Sequence, residues 1–260
     1  MKFAIIAAGE GSRLAAEGIE MPKPLVEVGG ESLIDRLIRI FMSNNPEEIV
    51  VICNDRTAMV SRHLVDLQQN GLKGRPVPLR FLVKSTPSSM HSFHEISRYL
   101  GNGPFVLTTV DTIFLEDEFT RYVEAFEEGL SIGVYDRSID GMSPIDGMMV
   151  VTDYIDDESP LYVETDAGDT ITGFLDKSDS CRYISGGIYG LTPTAIKTLD
   201  RCISRGESRM RNFQRALVAD GQCLKAYSFS KVLDIDHVGD IAKAEEFLAG
   251  QNKKTITTTR

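Results

Sequence analysis

The sequence lacks most of the features that mark secreted, membrane-spanning and nucleic-acid-binding chains. Its four cysteines, Cys53, Cys181, Cys202 and Cys223, form no CxxC or CxC pair. Neither a disulfide framework nor a cysteine zinc site is therefore indicated, and they read as reduced thiols, Cys53 and Cys223 in strands. No apolar run approaches the roughly 20 residues needed to cross a bilayer. The run from Phe3 to Ala8 is cut off by Gly9-Glu10-Gly11 and is too short for a signal-peptide core. A cytoplasmic location and no membrane partner are expected. Cations are in the minority, with 28 Lys and Arg against 38 Asp and Glu and a net charge of −10. Such a chain is poorly matched to nucleic acid or an anionic membrane surface. A phosphate ligand would need a local concentration of donors that overrides this field.

What is present begins with hydrophobic content: 42% over 260 residues, enough for a sizeable core. A short continuous apolar run at 3–8 reads as a strand buried on both faces, 49–53 as a second buried strand, and 79–83 and 105–109 as a third and a fourth strand. Amphipathic stretches at 32–43, 57–70 and 89–100 alternate with them as helices. That alternation implies parallel strands with right-handed crossovers. The second half is richer in strands, at 130–135, 147–152, 161–164, 170–175, 183–191 and 223–229. Helices are expected there at 194–203, 210–219 and 237–249. The fold class is α/β: a Rossmann-like mixed, mostly parallel sheet flanked by helices. A single domain is expected over 1–250, with 251–260 as a flexible tail.

The most informative segment is Ala7-Ala8-Gly9-Glu10-Gly11-Ser12-Arg13-Leu14, followed by Met21-Pro22-Lys23-Pro24-Leu25. A glycine loop at the carboxyl end of a first strand lies where open α/β sheets bind ligands. Gly9 and Gly11 allow close backbone approach and present amide donors. Arg13 adds a planar fork and Lys23 a point charge, and the flanking prolines restrict where Lys23 points. Taken alone, the loop reads equally well as a tight turn beside a surface Arg. A dinucleotide fingerprint would place glycine where Leu14 stands, and no GK[ST] loop is present.

Together, Gly9-Glu-Gly11-Ser-Arg13-Leu14 and Pro22-Lys23-Pro24-Leu25 resemble the motif of the sugar-phosphate nucleotidyltransferase (NDP-sugar pyrophosphorylase) family. The resemblance extends to Val106-Leu-Thr-Thr-Val-Asp111, to Gly173-Phe174-Leu175-Asp176-Lys177, to Ser185-Gly186-Gly187-Ile188-Tyr189 and to Val232-Leu-Asp234-Ile-Asp236. It implies the nucleotide-diphospho-sugar transferase fold, with Arg13 and Lys23 catalytic and nucleotide held by Ala7, Ala8, Gly9, Glu10, Gly11 and Ser12. It further implies sugar phosphate at Asp176, Lys177 and Gly187, and Mg²⁺ on Asp111 and Asp236, with Asp234 as the substitute for Asp236. A hard cation that takes one or two carboxylates and leaves the rest to water and phosphate suits this pair. Two departures stand out. The segment Ser85-Thr-Pro-Ser88-Ser89 replaces the family's Gly-Thr pair, although Ser88 and Ser89 can cap a helix and donate to a ribose or base. Thr-Val-Asp111 replaces the common Gly-Asp.

The implied activity joins an NTP to a sugar 1-phosphate, giving NDP-sugar and pyrophosphate. Two alternatives stay open: a cytidylyltransferase acting on phosphocholine or another alcohol phosphate, and a non-catalytic homologue that senses nucleotide or sugar phosphate. The sequence leaves an oligomer allowed. His91, His94 and Glu95 fall at helical spacing without a third ligand and read as groove or surface residues.

Overall fold

The structure is a computed structural model and describes residues 1–135, 144–156 and 158–257. In chain order the elements are β1 (Lys2–Ala7), α1 (Ser12–Ala16), a 3₁₀ turn (Lys23–Leu25), β2 (Glu27–Val28), β3 (Glu31–Ser32) and α2 (Leu33–Met42). There follow β4 (Glu48–Cys53), α3 (Ala58–Asn70), β5 (Leu79–Val83), α4 (Ser89–Ser97), β6 (Phe105–Thr109), β7 (Thr112–Ile113) and α5 (Glu116–Tyr135). The remainder comprises β8 (Gly147–Thr152), β9 (Tyr162–Thr165), β10 (Ile171–Leu175), β11 (Tyr183–Leu191), α6 (Thr194–Ser204), α7 (Met210–Ala219), β12 (Leu224–Phe229), β13 (Leu233–Asp234) and α8 (Val238–Thr257).

The central sheet has nine strands and is mixed. Through its centre, β5, β4, β1 and β6 run parallel. The long strand β11 joins antiparallel to β6, β8 and β9, so the sheet continues past β6 as an antiparallel extension. β10 closes one branch on β9, and β12 closes the other, parallel to β8. This is the α/β architecture implied by the alternating sequence pattern, with helices on both faces.

Each face is built by the pleat. Along β1, Phe3, Ile5 and Ala7 enter one core while Ala4, Ile6 and Ala8 enter the other, because successive side chains point to opposite faces. The first core receives Leu37 and Phe41 from α2, Leu64 from α3, and Phe119, Tyr122 and Phe126 from α5. The second receives Phe93 from α4, Leu199 from α6, and Phe213 and Leu217 from α7. Burial on both sides explains why the central strands read as unbroken apolar runs.

The sequence reading of 130–135 as a strand is corrected: these residues are the last turns of α5. The segment is rich in β-formers, but Phe119, Tyr122, Val123 and Phe126 already anchor the helix on one buried face. Extending an existing helix costs less than starting a strand. Cys223 precedes β12 instead of lying in it, and Cys53 ends β4, where burial pushes its thiol up to about 11. The cysteines are all free. α8 continues through Thr257, past the boundary expected at residue 250, and 258–260 lie outside the described residues. Among the described residues no helix is long and apolar enough to cross a membrane.

Candidate active site

The glycine loop leaves the carboxyl end of β1 and turns at Gly11, whose φ is +62°. A side chain there would be strained and would place its Cβ 3.1 Å from the Lys23 Cβ, so glycine is required both for the turn and for the approach of Lys23. Arg13 stands on α1 and is exposed. Lys23 opens the 3₁₀ turn behind Pro22, and only 10% of its side chain is exposed.

The short strand β7 pairs antiparallel with β13, and Ile235 N donates to Asp111 O at 3.1 Å. That small ladder sets Asp111, beyond β6, beside Asp236, beyond β13. Lys23 Nζ donates to Asp111 Oδ2, and to Asp236 Oδ1 at 2.7 Å. Arg13 Nη1 donates to Asp236 Oδ2 at 2.5 Å. Burial works against the charge on Lys23, but the two carboxylates outweigh it and hold the ammonium pKa above its ordinary value. Burial likewise opposes ionisation of Asp236, and the hydrogen bond from Lys23 with the nearby Arg13 charge holds its carboxyl below the usual range. Asp240 Oδ2 accepts from the Asp236 and His237 amides, and Glu17 bonds His237 and the Val238 amide. These contacts fix the turn that presents Asp236.

Asp111 Oδ1 is buried and has no hydrogen-bond partner among the described residues. A buried carboxylate oxygen left open costs free energy unless a ligand or ion meets it. With Asp236 alongside, the donor set is two hard oxygens, which fits Mg²⁺ completed by water and phosphate. Among the described residues no group of three or more His, Cys, Asp and Glu could enclose an ion, in keeping with a site completed by ligand oxygens.

Two cavities meet at this cluster. The first, about 540 Å³, is lined by Ala8, Gly9, Glu10, Gly11, Ser12, Arg13, Lys23, Asp111 and Asp236 on one side. Ser85, Thr86, Pro87, Ser88, Ser89 and Ser92 form its other side. Ser88 caps α4 by accepting from the His91 amide, and Thr86 Oγ1 lies 2.6 Å from Ser92 Oγ. The second cavity, about 510 Å³, shares Arg13 and Asp236 with the first. Its other walls carry Tyr154, Asp156, Glu158, Arg211, Asp234, His237, Asp240 and Lys243, with the backbone of Ser185 and Gly186.

Most residues singled out from the sequence therefore converge, but not all of them. Ala7 is buried beneath the loop and lies outside the cavity wall. Asp234 sits in β13 and faces the second cavity, while Asp236 faces both. Asp176 accepts from Arg211 at 2.6 Å and from Arg215 at 2.8 Å, and neither it nor the exposed Lys177 lines either cavity. Gly187 lies at the irregularity in the β11–β8 pairing with φ +71°, its backbone beside Thr112 and just past the cavity-lining Gly186. Sequence reasoning missed Arg211, Asp156, Glu158 and Lys243. The arginines at 209, 211 and 215 on one helical stretch were the available signal for Arg211.

The chain shares 30% identity over 112 residues with the N-acetylmuramate alpha-1-phosphate uridylyltransferase of Caulobacter vibrioides, covering 43% of this chain and 46% of that protein. The match thus spans less than half of the curated relative. Among solved structures, a UDP-glucose pyrophosphorylase complexed with UDP-glucose superposes with a TM-score of 0.75 at 13% identity, over 96% of this chain and 98% of the other. The inositol-1-phosphate CTP transferase from T. maritima superposes at 0.68 and 17% identity, over 94% and 96% of the two chains. At such identities these structures speak for the fold alone. The MobA-like NTP transferase domain matches residues 3–158, more than half of the sequence and the part that carries the glycine loop, Lys23 and Asp111, and the chain belongs to that family.

Proposed function

We propose that this protein joins a nucleoside triphosphate to a sugar 1-phosphate, forming a nucleoside diphosphate sugar and pyrophosphate. The observation that carries this reading is the pair of cavities meeting at Arg13 and Asp236, with Lys23 bonded across the same cluster. A nucleotide in the first cavity and a phosphorylated acceptor in the second bring two phosphates to one cationic seam. The Caulobacter relative supports this reading, being an N-acetylmuramate alpha-1-phosphate uridylyltransferase.

In the reaction an acceptor phosphate oxygen attacks the α-phosphorus in line. The α–β P–O bond breaks, and its electron pair leaves with pyrophosphate. The attacking oxygen is already ionised, so no general base is needed. Catalysis rests on positioning and charge neutralisation. Arg13 holds the departing pyrophosphate. Lys23 contacts the α-phosphate and the incoming phosphate, exchanging carboxylate partners for phosphate oxygens. Asp111 and Asp236 would hold Mg²⁺, which would supply positive charge to offset that of the phosphates. Arg211 and Lys243 are the cations available to the acceptor. Lys177 has no part in this reading because it stands outside both cavities.

The acceptor cavity favours a second reading of its substrate. Asp156, Glu158, Asp234 and Asp240 outnumber the cations around them, which suits a hydroxyl-rich sugar or an alcohol phosphate with a cationic head. A matrix of nucleoside triphosphates against sugar 1-phosphates and phosphocholine, read by pyrophosphate release, separates the two. Pyrophosphate release with one NTP and a sugar 1-phosphate is the expected result. Stabilisation by NTP without turnover on any acceptor would instead mark a nucleotide sensor.

A further inference from the structure

The parallel register of β1 on β4 sets Ala7 opposite Cys53, which brings the next residue of each strand, Ala8 and Asn54, side by side. Asn54 is half-buried and is not part of the cavity wall. Its Nδ2 donates to Gly9 O at 3.0 Å and to Ala8 O at 3.3 Å, while its Oδ1 accepts from the Arg56 amide at 3.2 Å. Arg56 in turn pairs with Glu10. One carboxamide thus grips two successive peptide units of the glycine loop.

In a trans peptide the C=O and N–H point in opposite directions. The carbonyl of Ala8 shares its plane with the Gly9 N–H, and the carbonyl of Gly9 with the Glu10 N–H. With both carbonyls turned onto Asn54, both N–H groups are turned away from it, and Gly9 and Glu10 line the first cavity whereas Asn54 does not. The amides of Gly9, Glu10 and Gly11 have no acceptor among the described residues. Gly9 and Glu10 are exposed and Gly11 is half-buried, so these donors face water and are free to take an anion, as successive amides in a glycine turn do.

We infer that Asn54 is the positioning residue of this glycine loop: it orients the Gly9 and Glu10 amides toward the phosphates of a bound nucleoside triphosphate without touching them. The inference rests on the reading of the first cavity as the nucleotide site. Aspartate is the telling replacement, because it keeps the shape and the acceptor for the Arg56 amide. It loses both donors and sets a carboxylate oxygen against two carbonyl oxygens.

The test uses the full chain, with MgATP, MgCTP, MgGTP, MgUTP and MgdTTP as probes. The wild type, Asn54→Asp and Asn54→Ala are compared for nucleotide Kd, for KM toward NTP and acceptor, and for melting without nucleotide. Loss of two hydrogen bonds predicts a roughly tenfold rise in Kd and in KM for NTP. KM for acceptor and the nucleotide-free melting temperature should hold near wild type. In the wild type the Gly9 and Glu10 amide resonances should move as the best nucleotide is added. Unchanged nucleotide affinity in both variants overturns the inference, as do wild-type amides that stay in place on saturation. A joint rise in acceptor KM with a fall in melting temperature would show a general structural role instead, and would overturn it too. Wild-type protein that binds none of the five nucleotides refutes the cavity assignment itself, and the inference with it.

Discussion

Arg13, Lys23, Asp111 and Asp236 form a closed set of charges in which each cation already has a carboxylate. A phosphate ligand must take these cations over, and a metal ion must take the carboxylates. Arg13→Ala should lower kcat/KM by roughly 100-fold or more, the scale expected when a preorganised charge on the transferring group is lost. Folding should be spared, since 59% of the side chain is exposed. Activity close to wild type would remove Arg13 from the reaction. The carboxylates offer a sharper comparison. Asp111→Asn and Asp236→Asn should each abolish most turnover and shift the Mg²⁺ dependence upward. The double variant should be little worse than the worse single one, because groups acting as a unit are not additive. Asp234→Asn should retain a near-normal Mg²⁺ curve, as Asp234 faces only the second cavity. A dead Asp234→Asn beside a normal Asp236→Asn would reverse the assignment.

A residue away from the site supplies a pH test. His63 of α3 pairs with Asp35 of α2 at 2.6 Å. The hydrogen bond that its ring donates to the Asp35 carboxylate raises the His63 pKa, against the opposing effect of burial. A folded pKa above the unfolded value of about 6.5 means that the pair's contribution is complete below that pH. It is lost as pH rises through the folded pKa. Melting temperature should therefore fall over that window in the wild type, and His63→Gln should flatten this part of the profile. Identical profiles would show that the pair contributes nothing.

At the scale of elements, β11 packs against α5 through a glycine that leaves no room for a side chain. A Cβ on Gly190 would lie 2.7 Å from the Tyr122 Oη and 2.9 Å from Phe126. Tyr122 is fully buried and donates to Met148 O at 2.8 Å. Gly190→Ala should thus destabilise by about 1–3 kcal/mol, the usual cost of overpacking, measured by urea unfolding. A stability equal to wild type would mean that α5 can shift freely. Packing also explains what was legible in the sequence. The strands β1, β4 and β6 lie where apolar runs placed them, because burial on both faces leaves a plain signature. Residues 130–135 read as a strand in sequence but close α5, because these β-forming residues are recruited by a helix already anchored upstream. The ladders β7 and β13 have two residues each and carry no periodicity. Their existence depends on tertiary pairing, so the meeting of Asp111 with Asp236 was available only through family resemblance. Arg211 shows in the sequence only as one of several neighbouring arginines, because its place in the second cavity depends on how α7 packs against β10. Asn54 was missed for a similar reason, since only the register of two strands sets it beside Ala8.

On the scale of the whole molecule, a chain at net −10 gathers two cations beside two carboxylates at one end of its sheet. There the sheet's carboxyl ends, the glycine loop and the turn before α8 bring Arg13 and Lys23 together. That placement is where open α/β sheets gather ligands, and it separates two cavities by a single seam. The central claim is that one phosphate crosses that seam. The most direct test is ³¹P NMR of the protein with Mg²⁺, its preferred NTP and a sugar 1-phosphate. Growth of a coupled pair of diphosphate-diester resonances, matched one to one by pyrophosphate and dependent on both substrates, is the result expected. Release of inorganic phosphate or nucleoside diphosphate from bound NTP, with no diester formed on any acceptor, would contradict it.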